Sequence, residues 1–442
     1  MTRTHAFALI LSLTTGIAAQ ADPKPVASAK SPGMDWPQFR GPNRDGVWRE
    51  KGLMTAFPDK LKIRWSKPIA GGYSGPTVAA GRVYVTDRID EDAEIERVHC
   101  FAWDTGEKLW SHSYPCQYRV SYKAGPRCSV LVADGRAYSL GAMGHLFCFD
   151  AKSGKVLWSK DLNKEYLIRM PIWGISASPI LEGGLLIVPV SGRKAYLVAF
   201  EPKTGKEKWK AFSDRGNYSA PIVIEQAKKR VLVTWSGDRV LGVDPATGEL
   251  HWSIPFKARN MPLGVASPVL HEDKLFLTGF YDGCILIRLA QDKLEAKKLW
   301  RRRGRNERMT DGLHSTISTP LIRDGHVYGV DSYGEFRCLK LEDGERVWED
   351  RTAVPRSRWA TIHFVQNGET TWMFNERGEL ILGDLSPKGF REIDRVKLIK
   401  PTRGQLNQRG GVCWTHPAYA YKHVFVRSDA EIVCADLSAA TK

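Results

Sequence analysis

One short phrase returns through the chain, and its spacing restricts the fold more than any other feature. It reads Asp104-Thr105-Gly106-Glu107-Lys108-Leu109-Trp110 at its first appearance and Lys152-Ser153-Gly154-Lys155-Val156-Leu157-Trp158 at its second. Further copies end at Trp209, Trp252 and Trp348, and in every copy the Trp lies four residues after the Gly. Trp65 and Trp300 fall in step without the full phrase. The series Trp65, Trp110, Trp158, Trp209, Trp252, Trp300, Trp348 has intervals of 45, 48, 51, 43, 48 and 48. A period in the forties with several short strands per repeat predicts a β-propeller.

Each repeat has the same order of parts. A Ser/Thr-x-Pro or similar opening starts the innermost strand, as at Pro76, Pro179, Pro221, Pro268, Pro320 and Pro417. Cys128-Ser129-Val130 and Ala360-Thr361-Ile362 hold the two places this ladder skips, so the openings predict eight blades. Alternating strands follow, as in Gly81-Arg82-Val83-Tyr84-Val85, then the Gly turn and the Trp strand. Lys62-Ile63-Arg64-Trp65 is a Trp strand with no repeat before it, and the last repeat lacks one. The expected fold is therefore all-β, an eight-bladed β-propeller over residues 62–442, closed by an N-terminal strand that removes the exposed sheet edges. Two repeats depart from the rule. The fifth has Ala290–Glu295 in place of the Thr-Gly turn, and the seventh puts Ile393 where the Trp is expected.

Residues 1–21 read as a signal peptide: Arg3 and His5 precede the apolar run Ala6–Ile17, and Ala19-Gln20-Ala21 fits a cleavage site. The run is too short to span a bilayer. The first Cys is Cys100, which argues against a lipid anchor on the new terminus. Residues 22–61 are read as a flexible leader and then an ordered arm, Trp36-Pro37-Gln38-Phe39-Arg40-Gly41-Pro42-Asn43-Arg44-Asp45-Gly46, lying over the propeller. The expectation is an exported, periplasmic or secreted monomer that does not span the membrane. Its formal charge of +16 favours anionic partners, and export excludes nucleic acid among them. Eight Cys in an oxidising compartment suggest disulfides. Cys100, Cys148, Cys338 and Cys434 hold equivalent places in separate blades, beyond disulfide reach, and read as small buried strand residues. Cys116 and Cys128 flank one loop, and their pairing stays open.

The Thr-Gly-x-x-x-Trp phrase resembles the tryptophan-docking motif of the PQQ-like β-propellers, a family that includes quinoprotein dehydrogenases and BamB-like outer-membrane assembly proteins. The resemblance covers about residues 62–438, and the Trp36–Gly46 arm looks like the start of many exported PQQ-like repeat proteins. It implies that Trp65, Trp110, Trp158, Trp209, Trp252, Trp300 and Trp348 dock between blades. It implies nothing certain about chemistry, because function lives in sites grafted on folds. The adjacent cysteines typical of quinoprotein alcohol dehydrogenases have no counterpart in this sequence.

Loops leading into the innermost strands gather around a propeller's axis on one face. Here they carry Arg127, Arg169, Trp173, Arg215, Asn217, Tyr218, Arg259, Asn260, His314, Arg356, Arg358, Trp359, Arg409, Trp414 and His416. Arg gives forked contacts to carboxylate or sulfate, and aromatics give flat faces for sugars or rings. The alternative is that these are ordinary solvated loop residues of a basic protein. Arg301-Arg302-Arg303-Gly304-Arg305 reads either as a polyanion contact or as a solvated turn. Acidic residues from Asp87 to Glu96 read as a solvated insertion, since their spacing does not fit a calcium loop. No catalytic motif and no metal-ligand spacing occurs, so no catalytic residue and no metal site is expected. The first functional expectation is a non-enzymatic propeller binding an envelope or extracellular protein, or an anionic small molecule or polysaccharide, without a cofactor. The second is a quinoprotein oxidoreductase holding PQQ with calcium. The third is a hydrolase or lyase acting on acidic polysaccharide.

Overall fold

In the computed structural model the described residues are 32–90 and 94–439. The expected signal peptide and the first part of the leader lie outside them. The chain forms eight four-stranded antiparallel sheets. Blade 1 shows the pattern: Thr77–Ala79 innermost, then Arg82–Ile89, Ile95–Ala102 and Lys108–Pro115 at the rim. The order repeats through blade 7. Blade 8 takes its three inner strands from Ala418–Ala420, His423–Arg427 and Glu431–Asp436, and its rim strand from Ile63–Pro68 at the other end of the chain. The N-terminal strand closes the ring. Middle strands such as Leu186–Val190 are buried on both faces, because each sheet packs between two others.

The repeated phrase makes a joint between blades. The Trp110 indole donates to Ala151 O of the next blade at 3.1 Å, Trp158 to Pro202 O at 3.0 Å, and Trp348 to Ser386 O at 2.9 Å. Trp65, Trp209 and Trp300 do the same. The ring lies flat on the Gly turn of that blade. Gly154 sits at φ +74°, and a Cβ there would come within 2.5 Å of the Trp110 ring. Glycine is thus needed twice over, for its backbone angle and for the close approach. Blade 5 lacks this turn, and Trp252 docks differently. Its Nε1 donates to Gln226 Oε1 at 2.8 Å, while Gln226 Nε2 donates to Ala290 O, Lys293 O and Glu295 O of the substitute turn. One amide side chain restores the joint.

Register corrects the reading of blade 7. In blades 1, 2 and 6 the residue opposite the docking Trp is Cys100, Cys148 or Cys338, with a bulge directly after it. In blade 7 the same place pairs Leu382 with Asp394, so Asp394 and not Ile393 occupies the Trp position. Ile393 is 39% exposed. The reason lies in blade 8, whose rim strand is the far end of the chain. No turn of the repeat type exists there for a Trp to dock on. The arm fills the joint instead: Asp394 accepts from Phe57 N at 2.5 Å, and Met54 N donates to Leu437 O at 3.0 Å.

The arm crosses the end of the propeller remote from the loops named above. Trp36 exchanges backbone hydrogen bonds with Val78, Val132 N donates to Pro37 O, and Trp48 N donates to Gln366 O. Between these anchors Arg44 enters the axis, 5% exposed. It donates to Ser178 O at 3.3 Å, to Pro221 O at 3.0 Å and to Pro179 O, and its Nε to Gln38 Oε1 at 2.8 Å. Carbonyls of blades 3 and 4 solvate the buried cation, whose pKa burial lowers to about 9. The arm ties blades 1 and 2 to blades 3, 4, 7 and 8.

Candidate functional site

The axis holds a cavity of about 180 Å³. Its floor is the arm, through Trp36, Phe39 and Arg40, and its rim is aromatic: Tyr73, Tyr122, Trp173, Tyr218, Trp359 and Trp414. Tyr122 stands among three indoles, with centroids 5.6 Å from Trp173, 6.3 Å from Trp359 and 6.3 Å from Trp414. Trp173 also tilts against Tyr218 at 5.3 Å. Two of these rings are set by unusual backbone. Tyr122 has φ 57° and Trp359 φ 67°, both in the left-handed region that bulky residues rarely adopt. Such strain persists only where its surroundings impose it. Arg127 imposes it at Tyr122, donating to Ser121 O at 3.1 Å and Tyr122 O at 2.5 Å. The Trp359 N–H is held by Ser332 O at 2.8 Å.

The structure brings six of the sequence-expected residues to this cavity: Arg127, Trp173, Tyr218, Trp359, Trp414 and His416. The others sit elsewhere. Arg215 forks onto Asp238 and Gly237 O, and Arg358 pairs with Glu307 at 2.6 Å while lying over the Trp359 ring. Asn217 bridges Ser236 O and Gly264 N inside the wall. His314 is buried: Nδ1 donates to Phe280 O at 2.9 Å and Nε2 accepts from Gly304 N at 3.2 Å, and burial lowers its pKa. Arg169, Arg259 and Asn260 are exposed and do not line the cavity. The expected ring of guanidinium groups is thus dispersed onto local carboxylates and solvent. The loops converge on their aromatics instead.

Sequence reasoning missed Tyr73, Tyr122, Phe39, Arg40 and His363. Tyr73 and Tyr122 lie in the same kind of loop as the residues singled out, and that position was signal enough to find them. The arm residues had no such signal, since only tertiary structure places them at the axis. Two carboxylates read as a solvated insertion are also displaced inward. Asp87 is buried with Arg97 and His99, and Glu96 accepts from the Tyr114 and Tyr118 hydroxyls. All eight cysteines are buried free thiols, Cys116 lying 3.6 Å from His145 Nδ1.

The cavity wall is poor in charge. Arg40 and Arg127 are its only lining residues with a fixed charge, and no carboxylate lines it among the described residues. His363 and His416 complete it as a pair, ring centroids 6.0 Å apart. His363 Nε2 donates to Trp414 O at 2.8 Å. Ser129 spends its proton on Gly75 O, so His416 Nε2 donates to Ser129 Oγ at 3.0 Å. Burial lowers the His363 pKa to about 4, with Arg40 nearby acting the same way. Burial, then His363 and Arg40, lowers that of His416 to about 3. Both are therefore neutral when folded, whereas an unfolded chain protonates them near ~6.5. Below that pH the unfolded state binds more protons, so the stability present above it is lost as pH falls toward 4. The melting temperature is expected to drop over that interval, with a shallower drop for His416→Gln. An equally steep drop in the variant would assign the acid sensitivity to other groups.

Eight sheets around a closed axis, seven of their joints made by a docked tryptophan, define a tryptophan-docked β-propeller. The family described as outer membrane protein assembly factor BamB, of PQQ-like repeats, matches residues 94–350, more than half of the chain, and the chain belongs to it. Among curated relatives, a quinohemoprotein alcohol dehydrogenase of Comamonas testosteroni is 26% identical over 47% of this chain and 29% of its own length. Assembly factor BamB of Moranella endobia is 23% identical over 55% of this chain and 61% of its own. The chain thus spans under two thirds of the length of either. Solved structures agree in fold: BamB of Moraxella catarrhalis has TM-score 0.52 at 14% identity, covering 80% of this chain and 98% of its own. Quinohemoprotein alcohol dehydrogenase ADHIIG of Pseudomonas putida HK5 has TM-score 0.60 at 13% identity, covering 93% and 81%. Among the described residues no helix is long and apolar enough to cross a membrane.

Proposed function

We propose that this chain is an exported binding protein whose axial cup takes a flat-faced anionic small molecule and performs no chemistry on it. The observation that carries this reading is the cup's composition, six aromatic rings at the rim and Arg40 and Arg127 in the wall. Aromatic faces hold a ring or the apolar face of a sugar, and a cation in a wall free of carboxylates favours an anionic substituent. The quinoprotein alternative fits less well. Calcium takes six to eight oxygen ligands, carboxylates among them. The cup's uncharged oxygens come mainly from Ser176, Ser178, Thr316 and Thr319, and no described residues form a group of three or more His, Cys, Asp or Glu suited to a metal. The residues present do not fit the calcium of a calcium–quinone pair.

Trp173, Trp359 and Trp414 report on the cup directly. Titration with galacturonate or small aromatic acids is expected to quench tryptophan fluorescence and to raise the melting temperature by mass action. Trp359→Ala is expected to weaken binding about two- to twelve-fold, the loss of one aromatic contact of about 0.5–1.5 kcal/mol. A ligand shift unchanged in Trp359→Ala would place the site elsewhere. No shift with any anion would favour a protein-binding scaffold.

A further inference from the structure

Beyond the cup, the same face carries a second feature that the sequence does not display as a run. Two open hollows, of about 360 and 380 Å³, lie side by side over blades 6 and 7 and share Arg351. Six exposed cations line them: Arg308, Arg346, Arg351, Arg356, Arg377 and Lys397. They come from the entry loop of blade 6, the rim strand of blade 6, the loop after it, and two segments of blade 7. The hollows contain three carboxylates, Glu335, Glu349 and Glu379, and the structure already engages them. Glu349 takes Arg337 at 3.1 Å, Arg346 at 2.9 Å and Arg351 at 2.8 Å. Glu379 takes Arg395 at 2.8 Å, and Glu335 lies 3.8 Å from Arg356. Arg346, Arg351 and Arg356 share their charge with this floor of carboxylates, whereas Arg308, Arg377 and Lys397 have no ion pair among the described residues, so an excess of positive charge faces solvent. One loop links this shelf to the cup: Arg351, Thr352 and Pro355 line one hollow, Arg351 and Arg356 the other, and Trp359 the aromatic rim.

We infer that the shelf binds an anionic polysaccharide, laid across blades 6 and 7 toward the cup. A chain carrying a carboxylate or sulfate on each sugar presents its charges at intervals, as cations distributed over two adjoining hollows require. Arg suits this role because its planar fork matches carboxylate and sulfate, and it is less tightly hydrated than Lys. The ring surfaces of such a chain fit Trp359 at the end of the loop, which an acidic peptide does not exploit. The Arg301–Arg305 run, the conspicuous basic stretch of the sequence, commits its first two cations to the protein itself. Arg301 lies over the Phe256 ring at 4.7 Å and donates to Asp282 O, and Arg302 donates to Asp343 O. The shelf is open to water, so binding weakens as salt rises.

The test uses the full-length exported protein and polygalacturonate, with polyglutamate and uncharged dextran beside it. Arg351→Glu with Arg356→Glu is compared with Lys203→Glu plus Lys206→Glu, an exposed pair in the blade 3 turn that changes net charge equally. The shelf pair is expected to weaken polygalacturonate binding about tenfold or more, since two cations facing the polyanion become two anions. The blade 3 pair and dextran are expected to show no such dependence. The milder Arg351→Gln with Arg356→Gln separates loss of binding from any change in folding. Equal weakening by both charge reversals would reduce the effect to net charge and overturn the inference. Polyglutamate binding as tightly, with the same loss in the shelf variant, would overturn it in favour of an acidic peptide. Galacturonate monomer reads the cup alone through Trp359→Ala, so failure of the cup and failure of the shelf are told apart.

Discussion

Removal of residues 22–66 is expected to abolish the monomeric, cooperatively folding protein. The deletion takes away most of the rim strand of blade 8 and leaves Glu431–Asp436 as an open edge, a template for pairing with other chains. It also removes Trp36, Trp48 and Trp65, all under 9% exposed, from the largest apolar cluster. Loss of a buried Trp side chain costs about 3–5 kcal/mol, and three such losses, about 9–15 kcal/mol, are of the same size as the roughly 5–15 kcal/mol that hold a domain folded. Arg44 goes as well, and with it the contacts that bind blades 3 and 4 to the arm. Size-exclusion chromatography and thermal melting check this. A truncated protein that stays monomeric with an unchanged melting temperature would show that neither the strand nor the arm supports the ring.

The second large effect is expected at a single joint. Trp252→Ala should cost about 3–5 kcal/mol, because a large ring between two blades leaves a cavity that rigid neighbours cannot fill. Ile393→Ala, at the exposed position beside Asp394, should stay within about 0.5 kcal/mol. Gln226→Ala should fall between them, at about 1–3 kcal/mol, since it leaves the Trp252 N–H and Ala290 O without their partner and takes one of two donors from Lys293 O and Glu295 O. Denaturant midpoints in a different order would mean that blade 5 is not joined through this amide. The Trp252 and Gln226 losses should not add, because both act on one contact.

The candidate site was legible in part: Trp173, Tyr218, Trp359 and Trp414, four of the six rim aromatics, were picked out by loop position together with Arg127 and His416, while Tyr73, Tyr122 and the arm residues were not. The residues picked out by loop position were of two kinds, and the structure treats them differently. Indoles such as Trp173, Trp359 and Trp414 have too much apolar surface to leave in water, so they turn inward and meet. Guanidinium groups such as Arg215 and Arg358 find a carboxylate within a few ångströms, Asp238 and Glu307, and stop there. A list of loop residues does not contain those partners. The basic run Arg301–Arg305 was legible, and its first two cations are held by the protein's own carbonyls, whereas the basic shelf gathers cations from segments up to 89 positions apart, from Arg308 to Lys397, and is invisible as a run.

The fold was legible because its determinants are local and repeated. A Gly with positive φ and a Trp four residues later specify one turn and one strand, and eight repeats with matching deficits at the two ends specify a closed ring. Tertiary structure alone decided what fills the axis. The arm's course depends on Arg44 reaching carbonyls in blades 3 and 4, on Asp394 receiving Phe57 N where a Trp has nothing to dock on, and on Arg40 and Phe39 arriving beside His363 and His416. Each of these contacts joins residues far apart in the chain, so no short-range pattern encodes it. Their partners are fixed only once eight blades have closed around a common axis.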